Sequence, residues 1–339
     1  MPWQTPPVTQ PQSSGTRDVA AGLAPTSPSA PSGAAGSGAR REVVPGPLAG
    51  YATHLGLLAL MWGSSYLFIR IGVETLPPLS LVLLRVLLGL AILLAVTALR
   101  RVPLPRDRRT LGHLAFLGAV NIALPFWLVG WAEQRIDSGL TGILQSSSPF
   151  FTLLIAAALV HDERITRGRL AGIGVGFLGI VVLSVENLAA MESTLGAERL
   201  LGELAVILGS VCYATGSAYA RRNLRTAHPL ILATGQVGWS VVIVAVLVLL
   251  VDGGLVLPTA PGAFLAVGWL GSIGTGLAYI VFFRLLAGWG PTRASLVAYL
   301  LPVVAVVLGM VVLGESVDAL FLAGAALIVA GVWIVNRFG

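Results

Sequence analysis

From residue 51 onward the chain is a succession of long apolar runs separated by short polar breaks. Ten runs stand near 51–72, 79–99, 110–132, 138–160, 167–186, 200–221, 227–251, 262–287, 291–313 and 317–336. Each is long enough to cross the roughly 30 Å of bilayer hydrocarbon as a helix, which takes about 20 residues. A helix also satisfies its own backbone groups where no water is available. The breaks are marked by Pro77-Pro78, by the arginine-rich stretch from Arg100 to Arg109 and by the acidic segment from Glu186 to Glu198. The eighth run is interrupted near its end by Phe283-Arg284. Residues 1–48 differ: they are rich in Pro, Ser, Gly, Ala and Thr and lack the apolar core of a signal peptide, so a disordered, uncleaved cytoplasmic tail is expected.

The second half of this pattern repeats the first. Pro149 aligns with Pro302 and Gly118 with Gly271, both at an offset of 153. Trp62 aligns with Tyr213, Arg70 with Arg221 and Pro78 with Pro229 at 151, and Glu163 with Glu315, Gly172 with Gly324 and Gly179 with Gly331 at 152. The expected repeats are 50–188 and 199–338, of five spans each. An odd number of spans forces the second copy to enter the bilayer inverted, an arrangement that builds substrate sites at the midplane between two gates.

Composition agrees with a membrane domain. Hydrophobic residues make up 56% of the chain and charged residues 11%, less than half the roughly one quarter of soluble domains. The net charge of +6 comes entirely from arginine, in short loops between apolar runs, which argues for topology signals and lipid phosphates rather than nucleic acid. With the tail inside, 14 loop and terminal arginines face the cytoplasm and three (Arg70, Arg135 and Arg199) face out, which places both termini inside a cell membrane. Cys212 is the single cysteine and the four histidines are scattered, so neither a disulfide, a metal site nor a cofactor is expected. Gly174-Val175-Gly176-Phe177-Leu178-Gly179 spells a dinucleotide fingerprint, but it lies inside an apolar helix without a preceding strand. Small residues four apart there serve close helix packing instead.

Trp62-Gly63-Ser64-Ser65-Tyr66 in the first span, Pro149 … Asp162-Glu163-Arg164 ending the fourth, Pro302 … Gly314-Glu315 ending the ninth and glycine-rich fifth and tenth spans together resemble the drug/metabolite transporter superfamily, in its ten-span form with two EamA repeats. The resemblance covers about 50–338 and departs at Tyr213-Ala214, which stands where the first repeat has Trp-Gly. It implies an all-α membrane protein that exports or exchanges small metabolites, with spans 1–4 and 6–9 around a central cavity and spans 5 and 10 at the periphery.

Arg85 is the one charge deep inside an expected span, opposite Gln236 in the other repeat. Such a group is costly in lipid, about 2.5–3.5 kcal/mol at least, and is a candidate for binding carboxylate or phosphate, with snorkelling to the interface as the alternative. Trp62, Tyr66, Asn121, Trp127, Gln145, Gln236, Trp239, Tyr279 and Tyr299 are further cavity candidates, since pockets combine apolar walls with a few placed polar groups. Each could equally be a packing residue. Pro149 and Pro302 are expected as paired mid-span kinks that shape or flex the cavity, with the serines at 146–148 covering the carbonyl a proline leaves unpaired. Glu163 and Glu315 would close the fourth and ninth spans on opposite faces. Beyond a small-molecule substrate and the bilayer, no partner is implied. A lipid scramblase, a non-transporting sensor and, further off, a membrane transferase remain as rivals, and substrate, direction, coupling ion and oligomeric state are open.

Overall fold

A computed structural model describes residues 47–159, 166–289 and 296–337, and among these every regular element is helical. The tail and Glu163 therefore lie outside the described residues. The helices are α1 (Pro47–Val73), α2 (Pro78–Leu99), α3 (Arg108–Ala132), α4 (Ser138–Gln145), α5 (Ser148–Leu159), α6 (Arg167–Ala189), α7 (Thr194–Asn223), α8 (Pro229–Asp252), α9 (Pro261–Trp289), α10 (Val297–Leu313) and α11 (Ala319–Arg337). Eight are long and apolar enough to cross a membrane; α10 is shorter, and α4 with α5 makes one further crossing.

Local chemistry explains the boundaries. Pro78 and Pro229, equivalent in the two repeats, each open a helix at its first position, where the missing N–H would be unpaired anyway. Asp107, Thr166 and Ser193 accept hydrogen bonds from the backbone N–H groups of Thr110, Arg169 and Gly196, capping α3, α6 and α7.

The two prolines expected as matching kinks are not equivalent. Pro302 lies inside α10, whereas the run at 138–160 breaks in two and Pro149 falls in the first turn of α5. The break forms because the N–H groups of Ser146 and Ser147 bond to the carbonyls of Ile143 and Leu144, three residues back. Ser148 Oγ then donates to Gln145 O at 2.7 Å, the carbonyl left without its usual partner four residues before the proline.

Packing follows a two-fold rule. Helix α1 packs on α10, and its counterpart α7 packs on α4 and α5; α2 packs on α9, and its counterpart α8 packs on α3; α6 and α11 pack on each other. When a contact between one pair of elements recurs between their exchanged counterparts, the halves are related by a two-fold axis. With five crossings per repeat, that axis inverts the second repeat relative to the first. The α6–α11 seam is close: a Cβ at Gly179 would lie 2.7 Å from Gly324 O, and one at Gly331 2.6 Å from Gly172 O. Neither α6 nor α11 contributes a residue to the lining of the cavity described below.

Helices α3 and α9 carry π-helical turns at Ala119–Ala123 and Trp269–Leu277; of the repeat-equivalent glycines, Gly118 precedes the first turn and Gly271 lies within the second. Such turns shift the helix face by a fraction of a turn and often mark functional sites.

Candidate functional site

Both π-turns border a cavity of about 500 Å³ between the repeats. Seven of the ten expected residues line it: Trp62, Tyr66, Arg85, Asn121, Gln145, Gln236 and Tyr279. The other three pack elsewhere. Trp127 sits between two apolar clusters, Trp239 covers Gly118 on α3, and Tyr299 turns its hydroxyl outward to donate to Val332 O on α11 at 2.9 Å. Depth along a span was legible for these three; the side of the helix was not, because a membrane helix that is apolar all round has no amphipathic stripe to orient it.

Arg85 does not snorkel. Its guanidinium lies 3.8 Å from the centre of the Phe126 ring, its Nε donates to Thr275 Oγ1 at 3.0 Å, and the residue is 6% exposed. Thr275 in turn donates to Leu270 O, five residues back, across the π-turn of α9. The irregular helix thus holds the residue that holds the arginine. Guanidinium has five N–H donors, and Thr275 takes one. Trp62 Nε1 donates to Gly274 O at 3.1 Å, and its ring meets Tyr279 edge-on at 6.3 Å. Asn121 Nδ2 donates to Gln236 Oε1 at 2.9 Å, tying α3 to α8 across the repeat boundary. Gln145 Nε2 donates to both Ser148 and Ser210, at 3.0 and 2.9 Å. Among the described residues, the lining carries two arginines, Arg85 and Arg221, and no carboxylate.

Lining residues beyond the ten expected ones include Ser65, Phe126, Tyr213, Ser217 and Phe282. Tyr213 is the residue that the repeat register sets opposite Trp62. Phe126 has no such signal in the sequence, because only the fold brings its ring under Arg85.

The two ends of the cavity differ. At the end where α2 and α7 finish in Arg100, Arg221 and Arg222, the lining reaches the exposed Ser217 and Arg221. At the opposite, acidic end the cavity stops at Ile69 and Val129, and the next turn of each helix closes it. There Arg70 donates to the main-chain oxygen of Glu133. Glu315, from the second repeat, accepts from Ser138 N, Ser138 Oγ and Gly139 N at 2.8, 2.7 and 2.9 Å and so caps α4 of the first. Outside this seal, Asp137, Glu186, Glu315, Asp318 and Arg199 ring a polar recess of about 220 Å³. Burial, and then the charge of Glu315, hold Asp137 above the ordinary carboxylate range against Arg70 and Arg199. Arg135 pairs with Glu198 at 2.6 Å while stacking 3.5 Å above the Trp131 ring.

Two stretches, 53–185 and 200–337, match the EamA-like transporter family. Among curated relatives, the "uncharacterized inner membrane transporter YedA" of Escherichia coli K12 is 32% identical over 77% of this chain and 82% of its own length. A "probable amino-acid metabolite efflux pump" of Salmonella typhimurium is 27% identical over 84% of this chain and 93% of its own. A "probable terminal-alkyne amino-acid exporter" of Streptantibioticus cattleyicolor is 28% identical over 84% and 92%. One solved crystal structure shares the fold at a TM-score of 0.60 and 21% identity, covering 85% of this chain and 98% of that one.

Proposed function

Because this chain belongs to the EamA-like transporter family and is a multi-pass membrane transporter, we propose that it carries small, amino-acid-like metabolites with an anionic group by alternating access, in the direction of export or exchange. One observation carries this reading: a buried, stacked and hydrogen-bonded guanidinium faces a cavity without carboxylates, open at one end and sealed at the other. A planar fork of donors suits a carboxylate, which it binds through two parallel hydrogen bonds. The aromatic walls suit an apolar side chain, and the pairs Trp62/Tyr213 and Arg85/Gln236 give the two halves of the pocket different chemistry. The names of the amino-acid exporters among the relatives point the same way. The role is transport without chemical change of the cargo.

In this reading the arginine-rich end faces the cytoplasm with both termini, and the structure corresponds to the inward-open state. Opening the acidic end requires breaking the Glu315 cap, so the seal is the outer gate. Reconstitution into liposomes, followed by a flux screen across amino acids, sugars, nucleotides and dyes, tests the proposal. Saturable flux of a carboxylate-bearing compound is expected; saturable flux confined to cations, or none in any class, refutes it.

A further inference from the structure

Glu133 follows the last residue of α3, one turn beyond Val129 of the cavity wall, and is 0% exposed. Neither of its carboxylate oxygens has a hydrogen-bond partner among the described residues. Nothing in the transport reading uses it. It is not a paired structural charge, because Arg70 donates to its main-chain oxygen rather than to its carboxylate. The groups that face it electrostatically are Arg70 and Tyr66 on α1, Arg85 on α2 and Glu315 on the loop before α11. Glu315 is a second negative charge already committed to capping α4, and the carbonyl end of α3 adds a further unfavourable field. A bare carboxylate without hydrogen bonds costs far more to bury than a neutral acid, so such a group takes up a proton instead.

Position gives the proton a role. Val129 and Tyr66 put Glu133 next to the cavity on one side, and the Ser138–Glu315 cap separates it from the acidic recess on the other. The geometry points to Glu133 as a proton-binding site built into the seal, loaded while the acidic end is closed and emptied when water reaches the carboxyl. The proton passes between the Glu133 carboxyl and water; no other group changes. Added to the transport reading above, on which only this last step rests, protonation of this carboxyl makes opening of the seal depend on pH.

Infrared spectroscopy of the full chain in lipid nanodiscs tests this without any substrate, and so independently of whether transport is found. At pH 7 the wild type should show the C=O stretch of a protonated carboxyl that fades as pH is raised. Glu133→Gln should remove its component of that band. Glu133→Asp, which keeps the acid and guards against a folding defect in the first variant, should move its frequency. Glu203→Gln, at another buried acid, should leave the Glu133 component in place. A protonated-carboxyl band left unchanged by Glu133→Gln, or no such band at pH 7, overturns the assignment.

Discussion

Replacing Arg85 by lysine keeps the positive charge and removes the fork, which isolates what geometry contributes. The guanidinium meets three demands at once: stacking at 3.8 Å on Phe126, donation to Thr275 at 3.0 Å, and, as proposed, two hydrogen bonds to the cargo. An ammonium can serve the cargo as a point charge but not as a bidentate partner. Hydrogen bonds to charged groups contribute about 1.5–3 kcal/mol each. Losing one of two should therefore weaken binding by ~2 kcal/mol, roughly 30-fold at 1.4 kcal/mol per decade. Arg85→Ala should lose both and fall by at least about 100-fold on the same scale. Thr275→Val should act through Arg85 alone, loosening the fork without touching cargo, for ~1 kcal/mol or about fivefold. The assay is concentration-dependent flux in liposomes, with binding followed by fluorescence of Trp62 in the cavity wall and melting temperature as the control for folding. Full flux and unchanged half-saturation in a stably folded Arg85→Ala protein would falsify the assignment of Arg85 to the pocket.

Three further outcomes follow. A Cβ at Gly176 would lie 2.0 Å from the Phe150 ring, so Gly176→Val should overpack the α5–α6 contact and destabilise by ~1–3 kcal/mol or more, read as a lower melting temperature in detergent. Pro149 starts a helix and Pro302 interrupts one, so Pro149→Ala should change stability and turnover little while Pro302→Ala should straighten α10 and alter the transport rate; equal effects in both assays would restore the symmetric-hinge view. Burial, and then Glu315, hold Glu133 well above the ordinary carboxylate range against Arg70 and Arg85, and Asp137 is raised likewise. A group whose folded pKa exceeds its unfolded one binds more protons when folded, so stability is highest at acid pH and falls as pH rises from the ordinary carboxylate range toward the folded value. Melting temperature should therefore drop on alkalinisation, and Glu133→Gln should flatten that slope; a slope that rises with pH contradicts it.

Spans, repeats and their inversion were legible because each is written in periodicity: run length sets crossings, and the recurring Gly, Pro and Glu positions set the offset. The cavity was partly legible. Trp62, Tyr66 and Arg85 stand out as polar or aromatic groups in apolar surroundings, yet Trp127 and Trp239 stand out equally and only pack. The break before Pro149 was hidden because an apolar run reads the same whether one helix or two occupies it, and serine hydroxyls decide the matter locally. In the sequence, Glu133 looks like any other acid at the end of a run. Its burial is a tertiary fact, created by α1 and by the loop carrying Glu315 closing over it.

That loop also ties architecture to bias. The first turn of α4 has its amide donors satisfied by a side chain from the opposite half, so parting the halves at that mouth unravels a helix end as well as a contact. On the alternating-access proposal, cargo in the chamber has to supply that difference before the far door swings.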